Sequence, residues 1–115
     1  MGCVVAASLA AKGVRTHGVD VKRDVVDALA RGIAPMDEPD LAERIAEGLR
    51  QGCLFPTLDL ASAVAASDVS LVCVGTPLGE DGTLVVTDVL DACEAVARAA
   101  VAASRSHTIV IRSTV

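Results

Sequence analysis

The chain has no tryptophan, no tyrosine and a single phenylalanine, Phe55. Stacking on bases needs aromatic platforms, and gripping phosphates along a strand needs a basic face. Lys and Arg number 10 against 15 Asp and Glu, a net charge of −5, so no nucleic-acid partner is expected. Long apolar runs are also lacking: charge interrupts each stretch well before the roughly 18 residues of a membrane helix, so no membrane partner is expected either. No basic segment precedes the apolar start, which runs into Lys12-Gly13, unlike a signal peptide. Cys3, Cys53, Cys73 and Cys93 show no CxxC spacing. They read as reduced core or surface thiols of a cytoplasmic protein rather than disulfides or metal ligands. His17 and His107 have no carboxylate or metal-ligand partner in sequence and are assigned structural positions; no metal site is expected.

What the chain does have is small aliphatic bulk. Its 115 residues, 52% hydrophobic and dominated by Ala, Val and Leu, suit one domain with helices packed closely on a sheet. Residues 70–82, SLVCVGTPLGEDG, organise the rest. Leu71-Val72-Cys73-Val74 predicts a strand buried on both faces, stopped by Gly75-Thr76-Pro77 and followed by the polar turn Gly79-Glu80-Asp81-Gly82. Ligands of open α/β sheets bind at the carboxyl ends of such strands. There Gly75 lets a ligand approach the backbone, Thr76 offers a hydroxyl, and Pro77 ends the ladder.

In chain order, residues 2–12 predict an Ala-rich helix closed by Gly13, and residues 16–21 a short strand ending in acid. Residues 24–30 predict a helix capped by Asp24 with Val25, Val26 and Leu29 inward, and residues 31–40, with Pro35 and Pro39, a loop. Residues 41–50 give an amphipathic helix through Leu41, Ile45 and Leu49, stopped by Gly52. Residues 54–57 form a strand near an edge because of Pro56, residues 60–66 a helix, and residues 70–74 the organising strand. Residues 87–103 form the longest helix, with Val89, Leu90, Cys93, Val96 and Ala97 inward, and residues 108–112 a last buried strand. Alternating strand and helix predicts a parallel sheet with crossover connections. Asp20 lies 18 positions after Gly2. In dinucleotide folds an acid about 20 residues past the glycine loop holds the ribose 2′-hydroxyl. The fold class is therefore α/β, a Rossmann-type doubly wound parallel sheet whose first strand is missing, with Gly2 as the last glycine of GxGxxG.

These residues resemble the UDP-glucose/GDP-mannose dehydrogenase family. Gly2…Leu9-Ala10-x-x-Gly13…Gly18-Val19-Asp20 is similar to its first helix and second strand. Pro35-x-x-Glu38-Pro39 resembles its PxxEPGL loop, with Asp40 where glycine is usual. Val74-Gly75-Thr76-Pro77…Asp81-Gly82 is similar to VGTPxxxxG, and Ser113-Thr114-Val115 to its STV segment. The likeness spans the chain and is greatest to the GDP-mannose 6-dehydrogenase branch. It implies oxidation of a nucleotide-sugar C6 alcohol to a carboxylate with two NAD in succession, in a homo-oligomer when complete. In that chemistry a cysteine thiolate traps the aldehyde as a thiohemiacetal, and hydride loss gives a thioester that water cleaves. That cysteine lies beyond Val115 in the family, and none of the four here matches it. The resemblance makes Gly2, Asp20, Thr76 and Thr114 the cofactor-binding residues. Asp20 takes the adenosine ribose, Thr76 contacts NAD, and Thr114 sits beside the nicotinamide and positions the hydrolytic water.

Three further positions depart from the family pattern. Met1 stands in the valine position before the glycine. Val25 stands where a basic residue usually follows the ribose aspartate, leaving Lys22 and Arg23 either as electrostatic substitutes or as solvated charges before a helix. Val85 or Val86 replaces an acid after the Asp81-Gly82 turn. Residues 1–115 are thus expected to be a partial NAD-binding domain without a substrate or catalytic domain. About ten upstream residues, a strand and Gly-x-Gly-Tyr, would complete the loop. Without them NAD binding is expected to be weak and the fragment poorly soluble. The alternatives are a β-hydroxyacid-type Rossmann dehydrogenase and a non-enzymatic nucleotide-binding module.

Overall fold

The computed structural model describes residues 2–113. The chain divides into two units, Met1–Asp59 and Leu60–Val115. The first holds α1 (Gly2–Ala11), β1 (Thr16–Val19), α2 (Arg23–Ala30), α3 (Leu41–Arg50) and β2 (Leu54–Thr57); the second holds α4 (Leu60–Ala65), β3 (Val69–Val72), α5 (Thr87–Ala102) and β4 (Thr108–Ile111). All four strands pair in parallel, as the alternation of elements requires: β1 with β2 and β3 with β4, in two separate two-stranded sheets.

In the first unit the core is Ala7, Ala10, Leu29, Leu41, Ile45 and Leu54, with Cys3, Val4, Val25 and Leu49 packed against it. The small side chains of α1 let α3 approach closely. A Cβ placed on Gly48 would lie 2.7 Å from the Ala10 Cβ and 3.3 Å from that of Leu54. The sequence reading treated α3 as a Leu/Ile stripe and missed Gly48, which is buried with Leu41 and Ile45. α1 closes as expected at Gly13 (φ +88°), with the Gly13 N–H on the Ala10 carbonyl at 3.0 Å and the Val14 N–H on Leu9 at 3.1 Å. α3 closes the same way at Gly52 (φ +68°), with the Cys53 N–H on the Gly48 carbonyl at 2.9 Å. Each turn delivers the chain directly into a strand. The ladder runs Thr16↔Leu54, His17↔Phe55, Gly18↔Pro56 and Val19↔Thr57.

Two expectations for this unit are corrected. β1 stops at Val19, not at residue 21: the Asp20 N–H makes a last bond to the Thr57 carbonyl and the chain bends at Val21. Lys22 then takes the N-cap position and α2 starts at Arg23, so Asp24 lies within the first turn and caps nothing. Its charge still opposes the positive end of the helix dipole. The inward stripe is as expected, with Val26 and Leu29 fully buried. His17, assigned a structural position, stacks on Phe55 with ring centroids 5.1 Å apart, and the Arg15 guanidinium lies 5.6 Å from the same ring.

In the second unit Val64, Val96 and Ala100 form a cluster joined by Leu60, Ala99 and Ile109. β3 begins one residue and ends two residues before the expected bounds of the organising strand, and neither β3 nor β4 is buried on both faces. Val72 is buried, but Val69 and Leu71 are 52% and 41% exposed, and Val110 and Ile111 are 42% and 49% exposed. The period of two turns Val72 and Ile109 toward α4 and α5 and presents Val69, Leu71 and Val110 on the opposite face, which no helix of this unit covers. α5 also turns differently from expectation. Val89, Val96 and Ala100 are buried, while Leu90 is 63% exposed and Ala97 is exposed. One step along a helix rotates by about 100°, so Leu90 and Ala97 leave the stripe that Val89 and Val96 define. The Arg105 guanidinium donates to the Ala65 carbonyl at 2.5 Å and to the Asp68 carboxylate at 2.6 Å, tying the end of α4 to the chain before β4. The His107 Nε2 lies 2.7 Å from the Ser70 hydroxyl, and its buried Nδ1 has no hydrogen-bond partner among the described residues.

Candidate functional site

One candidate region lies in the first unit, at the carboxyl end of β1. The Asp20 N–H continues toward β2 by donating to the Thr57 carbonyl at 3.3 Å. The Asp20 side chain turns back on its own loop, and Oδ1 accepts the Lys22 N–H at 2.9 Å. Among the described residues the other carboxylate oxygen accepts no hydrogen bond. Cys3, in the first turn of α1, has its thiol pushed above the ordinary value, chiefly by burial and further by the Asp20 carboxylate. The first turn of α1 contains no acid, and the first amides of a helix have no intrahelical acceptor. An anion can be received there while a hydroxyl donor is received at Asp20. Lys22 and Arg23 are exposed, and among the described residues neither forms an ion pair with Asp20. They fit the reading as solvated charges before a helix.

The second unit has a candidate region of its own at the carboxyl ends of β3 and β4. Residues 73–77 leave the ladder, with Gly75 exposed and Thr76 half-buried. A small hairpin follows. The Val85 N–H donates to the Pro77 carbonyl at 2.8 Å, the Gly79 N–H to Thr83 at 2.7 Å, and the Gly82 N–H back to Gly79 at 3.0 Å. Leu78 and Leu84 form an antiparallel bridge. Asp81 Oδ1 accepts both the Thr83 hydroxyl at 2.7 Å and the Thr83 N–H at 3.1 Å, and these donors hold its carboxyl below the ordinary range. The polar turn expected after the organising strand is thus a closed, internally bonded element. Beside it, the Val72 carbonyl is met by the Arg112 N–H at 2.9 Å and by the Ser113 N–H and hydroxyl, both at 3.2 Å. Thr114 lies outside the described residues.

Gly2 thus opens α1 and Asp20 follows β1 in the first unit, while Thr76 lies four residues past the end of β3 in the second. Two groups escaped the sequence reading. The Lys22 amide was legible, because an aspartate two residues before a helix cap is the spacing of an Asx turn. Ser113 carried no signal of its own beyond its neighbour Thr114.

A family model described as the UDP-glucose/GDP-mannose dehydrogenase family, NAD binding domain, matches residues 1–115. The GDP-mannose 6-dehydrogenase of Pseudomonas putida is 39% identical over the whole chain. The UDP-glucose 6-dehydrogenase of Pseudomonas aeruginosa is 37% identical over 94 residues, 82% of this chain and 21% of its own length. Among solved structures, a ternary complex of GDP-mannose dehydrogenase from Pseudomonas aeruginosa matches 98% of this chain and 26% of its own, with a TM-score of 0.95 at 38% identity. A UDP-glucose dehydrogenase from Pyrobaculum islandicum matches with a TM-score of 0.94 at 36% identity, over 98% of this chain and 26% of its own.

The chain belongs to the UDP-glucose/GDP-mannose dehydrogenase family and corresponds to its NAD-binding domain. It spans about a quarter of the length of the curated relatives it matches, 26% of the Pseudomonas putida enzyme. NAD is the cofactor of this family's domain. The residues present fit it: an acid-free helix start suits a pyrophosphate, and a carboxylate with one oxygen unengaged suits a ribose hydroxyl.

Proposed function

We propose that this chain is the cofactor-binding part of a nucleotide-sugar 6-dehydrogenase that oxidises the C6 alcohol of GDP-mannose or UDP-glucose to a carboxylate. The observation that carries the reading is the Asp20 carboxylate just past β1, held by the Lys22 N–H, with its second oxygen accepting no hydrogen bond among the described residues. Gly2 and the first amides of α1 hold the pyrophosphate, Asp20 the adenosine ribose, and Thr76 the cofactor at the carboxyl end of β3. Thr114 orients the nicotinamide end and the hydrolytic water. When bound, NAD supplies the hydride acceptor; this chain's residues bind and orient it. The cysteine that traps the aldehyde belongs to the part of the relatives' length that this chain does not span, so residues 1–115 supply part of the cofactor-binding domain and do not catalyse the oxidation alone. The reading includes a role in polysaccharide biosynthesis and a homo-oligomer, both resting on the family resemblance. It also includes a cytoplasmic location, which the four free cysteines support.

The test supplies NAD or NADP with GDP-mannose or UDP-glucose to the protein carrying this chain and follows reduced cofactor. Two hydrides per nucleotide sugar are expected with NAD. Asp20 repels a 2′-phosphate, so NADP should perform poorly, and Asp20→Ala should raise the KM for NAD by roughly tenfold while narrowing that preference. A wild-type preference for NADP, or an Asp20→Ala enzyme with unchanged KM, would remove Asp20 from the ribose site.

A further inference from the structure

We infer that the main-chain N–H of Lys22 is a positioning group for cofactor discrimination: by holding Asp20 Oδ1, it fixes the orientation in which the carboxylate meets the ribose. The inference rests on the assignment of Asp20 to the ribose and concerns how that carboxylate is aimed.

Three observations support it. The Lys22 N–H to Oδ1 distance is 2.9 Å, within the range of a charge-assisted bond. Lys22 sits at the N-cap of α2 in an extended conformation (φ −91°, ψ 116°), so its N–H points back along the chain and is not taken up by the helix. Finally, none of the surrounding cations engages Asp20: among the described residues the ion pairs are Arg50 with Glu47, Arg98 with Glu94 and Arg105 with Asp68. The amide is thus the group that restrains the Asp20 rotamer. Without it, the carboxylate can rotate about two side-chain bonds and meet the ribose in several geometries, so affinity and the penalty against a 2′-phosphate both fall. The role belongs to the backbone, so the Lys22 side chain is incidental to it.

Proline at position 22 deletes the donor. Its ring fixes φ near −65°, about 26° from the Lys22 value. Proline at position 23 is the matched control. Position 23 is the first helical residue, where proline is well tolerated, and the ψ of 116° at Lys22 suits a residue preceding proline. Calorimetric titration of NAD and of NADP into the protein carrying this chain, with thermal melts of each variant, reads the outcome. Lys22→Pro should lose roughly tenfold in NAD affinity and move the NAD-to-NADP ratio toward one, whereas Arg23→Pro should leave both near wild type. Asp20→Glu offers a second route that does not depend on tolerance of proline. It keeps the charge but is one methylene too long for the same turn, and it should lose NAD affinity as Lys22→Pro does.

Unchanged NAD affinity in folded Lys22→Pro overturns the inference, as does wild-type affinity in Asp20→Glu. Equal losses in Lys22→Pro and Arg23→Pro overturn it too, since the proline and not the missing donor would then be responsible. If Asp20→Ala itself binds NAD like wild type, the ribose assignment fails instead, and that failure is distinguishable from the others.

Discussion

Gly48→Ala adds one methyl group to the tightest place in the first unit. The new Cβ would meet the Ala10 Cβ at 2.7 Å and the Leu54 Cβ at 3.3 Å. Both are atoms fixed to backbone, so no rotamer change relieves them. To reach even the 3.4 Å lower edge of ordinary contact, α3 must part from α1 by several tenths of an ångström. That movement disturbs the packing of Ala7, Ile45 and Leu54 together. Overpacking of this kind costs about 1–3 kcal/mol. Replacing glycine inside a helix returns about 1 kcal/mol through propensity. The steric effect wins, and a net loss of about 1 kcal/mol is expected, a fall in Tm of about 4–8 °C for a unit of this size. Circular-dichroism melts of wild type, Gly48→Ala, Ala10→Gly and the double variant measure it. Ala10→Gly loses helix propensity by itself, but in the Gly48→Ala background it also removes the clash. The double variant should therefore be more stable than the sum of the singles predicts. A Gly48→Ala protein that melts at or above wild type would show that propensity outweighs the contact and would refute the close-packing account.

Asp40 adopts a left-handed conformation (φ 63°, ψ 3°) at the N-cap of α3 and makes no capping hydrogen bond. Asp40→Gly should therefore raise the urea midpoint, by up to about 1 kcal/mol in stability; a lowered midpoint would show that the carboxylate contributes something unseen. Asp81 is fully exposed and its carboxyl is held low by the hydroxyl and amide of Thr83. A depressed folded value stabilises the turn above the ordinary carboxylate range, and this support is lost as pH falls through the lowered value. The Thr83 amide should thus keep its hydrogen-exchange protection to below the usual carboxylate midpoint, and Asp81→Asn should abolish that pH dependence; loss of protection at or above the usual midpoint would contradict it.

Much of this architecture was legible because single residues carry it. Glycine at positions 13 and 52 marked the ends of α1 and α3, and the helix bounds of α3 and the strand bounds of β2 coincide with the sequence reading. Asp20 was found from spacing, since strand and helix lengths fix how far the chain travels before it returns to the same edge. The rest failed where a local pattern has two meanings. An apolar run such as Leu71-Val72 cannot show which faces will be covered, and here helices of its unit cover one. A wide apolar stretch such as Val89-Leu90 and Val96-Ala97 leaves the rotation of α5 open, and the contact with Val64 decided it. Gly48 was missed because a glycine inside a helix looks like a local defect until the neighbouring helix is seen.

The glycine-terminated helices divide the chain into parts that can be rewritten and parts that cannot. Gly13 and Gly52 each hold a backbone angle that side chains strain to adopt, and each opens directly into a strand at its amino end. The loops that hold Asp20 and Thr76 lie at the opposite, carboxyl ends and make no such demand at those residues. A library randomised across both sets should retain folded members with many sequences around Asp20 and Thr76 and few at the two turns. Under the proposed ribose role of Asp20, cofactor preference becomes a matter for the carboxyl ends of the strands, leaving untouched how the helices are joined to them at the amino ends.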